Sequence, residues 1–201
     1  ELIEYLMRSN VLRDKDVIRA MLQVDRKEFT PQGSEQHAYA DYPLPIGHGQ
    51  TISAPHMVAI MTQHLKVLPG NKVLEVGAGS GYQAAILSRL VGEKGRVITI
   101  ERIPELARMA RKRLSVYENV KVVVGNGALG FEEEAPFDRI LVTCAAQKVP
   151  EALKKQLNEG GRMVIPVGSC FSARLLLLIK KQGRLLKEDL HCPCSFVPLV
   201  E

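Results

Sequence analysis

The sequence predicts a doubly wound α/β domain with a mostly parallel sheet, a helical extension ahead of it and antiparallel strands at its C-terminal end. Three observations predict it. Short apolar runs alternate with amphipathic segments from Lys72 to Val167, the pattern of strands covered by helices on both faces. A glycine-rich turn, Gly77-Ala78-Gly79-Ser80-Gly81, separates the first of those runs from the helix after it. Beyond Cys170 two strand-like runs flank Lys181-Gln182-Gly183-Arg184, which reads as a hairpin turn.

The elements follow in order. Up to about Phe29, Ile3, Leu6 and Met7, then Val17, Met21 and Val24, recur at helical spacing, and Asp14 or Asp16 can cap the second helix. Tyr39 to Gln50 carries Pro43, Pro45, Gly47 and Gly49 and reads as a loop. A helix is expected from Pro55 to Leu68, with Ser53 just ahead of it and Pro69-Gly70 closing it. The core then runs as strand Lys72–Val76, helix Tyr82–Val91, strand Arg96–Ile100, and helix Pro104–Leu114 with proline in its first turn. Strands Lys121–Val124 and Phe137–Thr143 come next. A short helix, Glu151–Leu157, is stopped by Gly160-Gly161 before a strand at Met163–Val167. Arg174–Lys180 and Leu185–Val200 close the chain as strands. One domain covers residues 1–201: the extension and a loop over 1–52, the glycine-loop core over 53–170, and the last strands over 171–201.

Composition supports this and excludes other classes. At 201 residues, 46% apolar and 24% charged, the chain is one globular domain rather than a disordered one. Its longest aliphatic run, Leu175 to Ile179, is far too short to span a membrane. The balance of 27 basic against 22 acidic residues, a net +5, favours anionic substrates but is too weak to mark a nucleic-acid binder. Cys144, Cys170, Cys192 and Cys194 form no disulfide framework, and the first residues carry no targeting segment, so a reducing, cytoplasmic setting is expected.

The glycine turn narrows the chemistry. A dinucleotide fingerprint needs its third glycine at position 82, which is Tyr82, and the Glu75 carboxylate before the turn would repel a pyrophosphate. That carboxylate suits a cationic ligand. A nucleophile elbow fails because Ala78 and Tyr82, not glycines, stand two residues either side of Ser80. A Walker loop lacks its Gly-Lys-Ser/Thr.

An acid before Gly-x-Gly-x-Gly, with a second acid, Glu101, ending the second strand, resembles the class I S-adenosylmethionine methyltransferases of Rossmann-like fold. The resemblance implies S-adenosyl-L-methionine as cofactor, bound by Glu75, Gly77, Ala78, Gly79, Ser80, Gly81, Glu101, Asn126 and Gly127. Glu101 would hold the ribose hydroxyls, and Asn126 with a neighbouring backbone N–H would meet the adenine. Blander readings stay open beside these: a solvated strand end for Glu101, a packing carboxylate for Glu75, and a plain turn at Asn126-Gly127.

A closer resemblance rests on Pro45-Ile46-Gly47-His48-Gly49-Gln50-Thr51-Ile52-Ser53 and on Val76 to Ala85. Ala135-Pro136-Phe137-Asp138-Arg139-Ile140, Gln156 to Gly161 with Pro166-Val167-Gly168, and Phe196-Val197-Pro198-Leu199-Val200 extend it over nearly the whole chain. These segments resemble the protein-L-isoaspartate (D-aspartate) O-methyltransferases. The resemblance implies methyl transfer to the free α-carboxylate of isoaspartyl residues in damaged proteins, leaving S-adenosyl-L-homocysteine and starting repair through a succinimide. It assigns Ser53 to the reaction and Gly49, Gln50, Thr51, Ile52, Val197 and Val200 to the substrate. It implies isoaspartyl proteins and peptides as partners, a monomer, no metal, no nucleic acid and no membrane. Ser53 is also a natural helix N-cap, and its hydroxyl cannot serve both tasks fully. The family usually carries Asp where this chain has Asn126; the amide keeps an acceptor oxygen but loses the charge.

The reaction asks little of side chains. A carboxylate is already ionised near neutral pH, so no general base is needed, which agrees with the lack of any Ser-His-Asp or Cys-His constellation. His48 and His56 read as surface or packing residues, and Cys192-Pro193-Cys194 beside His191 as strand packing, too closely spaced for a zinc site. Arg108, Arg111, Lys112 and Arg113 read as a solvated helix face. That basic stretch is also the best support for a different class I methyltransferase acting on RNA or a small molecule. Thr143-Cys144-Ala145-Ala146 after the fourth strand opposes methylation of base amino groups. A non-catalytic binding module, inactive through Asn126, is the third reading.

Overall fold

A computed structural model describes residues 1–200. The extension forms helices α1 (Leu2–Arg8) and α2 (Lys15–Gln23), followed by a 3₁₀ turn at Arg26–Phe29. Asp14 is the cap: its Oδ1 accepts from the N–H groups of Asp16 at 3.1 Å and Val17 at 3.3 Å. Where the sequence reads as a loop, strands β1 (Leu44–Gly47) and β2 (Gln50–Ile52) pair as an antiparallel hairpin. Gly47, His48 and Gly49 turn the chain at φ of 94°, 52° and 69°, and buried Leu44, Ile46 and Ile52 point its inner face to the core. Proline and glycine here shape a tight hairpin, which composition alone does not distinguish from a loop.

Helix α3 (Pro55–Leu65) is shorter than expected. Two guanidinium groups end it before Pro69-Gly70. Arg139 Nε donates to the Lys66 carbonyl at 2.8 Å, Arg162 donates to the His64 carbonyl at 3.0 and 3.1 Å, and Lys66 turns left-handed. Its N-cap is Ala54, with no side-chain cap, so the capping role expected of Ser53 is not found.

The core elements are β3 (Lys72–Val76), α4 (Tyr82–Val91), β4 (Arg96–Glu101), α5 (Pro104–Arg113), β5 (Val120–Val124), β6 (Phe137–Val142), α6 (Glu151–Gln156), β7 (Leu157–Ser169), β8 (Ser172–Lys181) and β9 (Arg184–Cys194). Seven strands lie in the order β5-β4-β3-β6-β7-β8-β9, parallel from β5 to β7. Strand β8 runs against β7, and β9 against β8.

Two expectations change here. Gly160-Gly161 do not stop a helix; α6 passes straight into β7, and the glycines lie where β7 bulges between its Leu157 and Arg162 pairings. Val197 to Val200 are not strand: β9 ends at Cys194, and the tail makes one bridge, Ala145 to Pro198. Past Cys194 the chain leaves β8, and its tail bonds to Ala145 instead.

Alternate strand residues divide the core. Val73, Val97, Leu141 and Val164 join the cluster that includes α3 and α4, whereas Leu74, Ile98, Ile140 and Met163 build the opposite one. Cys192 and Cys194 pack against the first cluster. Among the described residues no group of His, Cys, Asp and Glu could hold a metal ion, and no helix is long and apolar enough to cross a membrane.

Candidate active site

The order β4-β3-β6 makes β3 the point where the chain reverses its progress across the sheet, and a ligand crevice is expected at the C-terminal ends of strands there. A cavity opens at that place, lined by Val76 to Ser80, Glu101, Gly127 and Thr143, and on its other sides by Gln50 to Ser53 and Val197 to Val200.

The glycine turn is held on every side. Gly77 N–H and Ala78 N–H donate to the Ile100 carbonyl at 2.8 and 3.1 Å. Thr143 Oγ1 donates to the Gly77 carbonyl at 2.8 Å and stands 2.5 Å from where a Cβ on Gly77 would sit. Glu101 secures the outer end: Oε2 accepts from Gly79 N–H at 2.9 Å and Oε1 from Ile103 N–H at 3.0 Å. Glu101 is buried, so it is no solvated strand end. It lines the cavity while bracing the loop.

Glu75 lies beneath the cavity floor, 0% exposed, and both its oxygens lack a hydrogen-bond partner. Burial pushes its carboxyl up to about 8; nearby Thr99 pulls it back and Glu101 pushes it further. The Thr99 hydroxyl itself stays outside hydrogen-bond geometry, unpartnered as well. A buried acid without a partner under a glycine turn fits a cation above it and opposes a phosphate.

On the substrate side, Gln50, Thr51, Ile52 and Ser53 line the cavity, and Gly49 stands back in the hairpin turn. Ser53 Oγ makes no hydrogen bond among the described residues, while its carbonyl accepts from Arg26 Nη2 at 2.7 Å. The hairpin lies close beside the glycine turn: a Cβ added to Gly79 would come within 3.4 Å of Ile46 Cδ1 and 4.0 Å of the Thr51 carbonyl. Across the cavity the tail is fixed by Ala145, whose N–H donates to the Val197 carbonyl at 2.8 Å and whose carbonyl accepts from Leu199 N–H at 2.8 Å.

Gly127 lines the cavity, but Asn126 does not reach its wall, and its Oδ1 accepts from Ala128 N–H at 2.9 Å. One lone pair of that oxygen is therefore already used. His48 is exposed on the hairpin turn, and His56 is turned to Asp41, whose Oδ1 accepts from its backbone N–H at 2.9 Å and bonds its Nδ1 at 2.8 Å. Arg113 corrects the solvated-face reading of the basic stretch. Its guanidinium is half-buried and donates to the carbonyls of Phe29 at 3.1 Å, Thr30 at 3.0 Å and Ser80 at 3.4 Å.

Sequence reasoning missed Thr143, Tyr82, Gln83 and Arg102, which also line the cavity. Thr143 was findable, because it follows the strand next to the glycine-loop strand at the reversal point. Gln83 sits on the buried face of α4 and donates to Thr62 Oγ1 at 3.0 Å, which reads as core from the pattern alone.

The Protein-L-isoaspartate(D-aspartate) O-methyltransferase family model matches residues 1–201. The chain belongs to this family. A protein-L-isoaspartate O-methyltransferase of Methanopyrus kandleri is 54% identical, with 99% of this chain and 89% of that one covered. One from Ignicoccus hospitalis is 52% identical, covering 100% and 96%. Among solved structures, a Plasmodium falciparum protein assigned as a protein-L-isoaspartate O-methyltransferase, in complex with S-adenosyl-L-homocysteine, superposes at a TM-score of 0.89. It is 32% identical and the match covers 99% of this chain and 96% of that one. The α/β fold and the methyltransferase class expected from the sequence both hold.

Proposed function

We propose that the cavity binds S-adenosyl-L-methionine along the glycine turn and presents its methyl group to the α-carboxylate of an L-isoaspartyl residue. The resulting ester starts repair of the damaged protein through a succinimide. The observation that carries this reading is that the glycine turn, Val76 to Ser80, and the Gln50-to-Ser53 segment line one cavity, with the buried acid Glu75 next to the turn. When bound, S-adenosyl-L-methionine supplies an electrophilic methyl on a sulfonium.

The residues of the chain then have separate tasks. Glu75 favours positive charge above the floor, and Glu101, already bonded to Gly79 N–H and Ile103 N–H, offers its remaining lone pairs to vicinal hydroxyls at the rim. Gly77 and Gly79 let the backbone approach the ligand without side-chain bulk, Ala78 and Ser80 line the turn with small side chains, and Gly81, set back against Leu114, closes it. Gly127 supports the adenine side; Asn126, standing behind the wall, holds the turn there through Ala128 N–H. Ser53, its hydroxyl not spent on capping, donates to the substrate carboxylate and fixes which oxygen faces the methyl. Gln50 to Ile52 and Val197 to Val200, with Gly49 shaping the turn, bind the peptide on either side and keep water from the nucleophile. We place the enzyme in the cytoplasm as a monomer, acting on isoaspartyl proteins and peptides without metal, nucleic acid or membrane.

The test is transfer of labelled methyl from S-adenosyl-L-methionine to two peptides differing only in isoaspartyl or aspartyl linkage at one site. Base-labile label on the isoaspartyl peptide alone is expected. Equal labelling of both, or none, overturns the reading.

A further inference from the structure

The 3₁₀ turn Arg26–Phe29 lies outside the cavity but joins two of its lining residues, Ser53 and Tyr82. Arg26 is 1% exposed. Its Nε donates to the Ala38 carbonyl at 2.8 Å and its Nη2 to the Ser53 carbonyl at 2.7 Å. The guanidinium carbon lies over the Tyr82 ring, 4.9 Å from the centroid, and Tyr82 is the first residue of α4 after the glycine turn. Phe29, at the other end of the 3₁₀ turn, packs on the same ring with centroids 5.7 Å apart. One short turn thus touches both the backbone of Ser53 and the helix that carries the cofactor loop.

Arg26 serves stability in part, by satisfying the Ala38 and Ser53 carbonyls. Its Nη1 is buried with no partner, and burying an unsatisfied charged donor works against folding. An apolar side chain of similar length would remove that penalty but leave both carbonyls without a donor and the Ser53 segment without its tie. What only arginine supplies is a rigid planar fork, which holds two carbonyls at fixed geometry while its charge lies over an aromatic ring. Arg113 strengthens the frame by joining the Phe29 and Thr30 carbonyls to that of Ser80 in the glycine turn.

From this geometry we infer that Arg26 is a positioning residue for methyl transfer, setting the Ser53 segment at a fixed distance from the glycine turn. It touches neither reactant and acts through the Ser53 carbonyl and the Tyr82 ring. The inference rests on the proposed function. In-line transfer is steep in alignment, so a small shift of Ser53 lowers turnover while leaving each binding surface intact.

Arg26→Met and Arg26→Lys test it on the full chain, with kcat and KM for the isoaspartyl peptide, and calorimetric Kd and stoichiometry for S-adenosyl-L-homocysteine. Arg26→Met is expected to lose about tenfold or more in kcat, with KM and Kd within about threefold of wild type and one site per chain. Arg26→Lys, which keeps a cation over Tyr82 without the fork, is expected to fall between the two. Should Arg26→Met fail to fold, Arg26→Lys decides by the same readouts. Unchanged kcat, or a kcat loss matched by an equal loss of Kd or stoichiometry, overturns the positioning role. Wild-type protein that ignores the isoaspartyl peptide overturns the proposed function instead; normal wild-type activity with unaffected variants overturns only this inference.

Discussion

Replacing Glu75 by Gln keeps the shape of a wholly buried side chain and removes its ability to ionise. The carboxyl rises from its ordinary 4.5 to about 8 in the folded chain, chiefly through burial. Below the lower value both folded and unfolded chains hold the proton, and the two proteins are equally stable. As pH rises through the interval, the unfolded carboxyl ionises freely while the folded one resists, so wild-type stability falls and the loss is complete above the folded value. The slope is about 1.4 kcal/mol per pH unit, which gives about 5 kcal/mol over the whole interval and about 3 kcal/mol by neutral pH, as upper figures.

The assay is urea unfolding of both proteins at pH 5, 7 and 9. Glu75→Gln should exceed wild type by less than about 1 kcal/mol at pH 5 and become progressively the more stable as pH rises. A cation bound over the floor favours the ionised carboxylate, so S-adenosyl-L-homocysteine, which keeps an ammonium group, should bind wild type more tightly as pH rises from 6 to 8. The Gln variant should lack that dependence by calorimetry. Parallel stability curves for the two proteins would refute the account of Glu75.

Ser53→Ala should leave urea stability within about 0.5 kcal/mol, because Ala54 caps α3 and the hydroxyl is unbonded, yet lower kcat for the isoaspartyl peptide about tenfold or more. Gly77→Ala places a Cβ 2.5 Å from Thr143 Oγ1 at a φ of +99°; strain of about 1–3 kcal/mol should weaken S-adenosyl-L-homocysteine binding in calorimetry by at least tenfold. Glu101→Ala leaves Gly79 N–H and Ile103 N–H without their acceptor and should weaken the same binding by about tenfold to a hundredfold, whereas Glu101→Gln, keeping one acceptor, should weaken it less.

The parallel core was legible because its strands are mostly apolar runs that alternate with amphipathic helices; β3 and α4 have the expected bounds. Legibility failed where distant residues decide local structure. The end of α3 depends on Arg139 and Arg162, remote in sequence, donating to its last carbonyls. The tail is shaped by its two bonds to Ala145, and no periodicity within Leu185 to Val200 encodes them. In the site, Glu75 and Glu101 were visible as an acid pair around the glycine turn, but not their opposite circumstances, one unpartnered and one bonded through both oxygens. Ser53 was ambiguous in sequence because a serine two residues before a helical proline can cap; the backbone settles the cap on Ala54.

The glycine turn shows what kind of catalyst this fold can make. Gly77 N–H, Ala78 N–H and the Gly77 carbonyl are bonded to β4 or Thr143, Gly79 N–H to Glu101, Gly81 N–H to the Ala78 carbonyl, and the Ser80 carbonyl to Arg113. With these backbone groups already committed, the turn needs little rearrangement to accept a ligand. A reaction without proton transfer, whose rate depends on lining up three atoms, benefits from such a prebuilt seat more than from reactive side chains. Adaptation to varied damaged proteins must then fall to the surfaces with fewer bonds: the β1–β2 turn at Gly47–Gly49, and the tail, fixed to Ala145 at only Val197 and Leu199. Alignment thus belongs to the fixed glycine turn, and contact with the peptide to the less bonded tail and to the Gln50-to-Ser53 segment next to the hairpin turn.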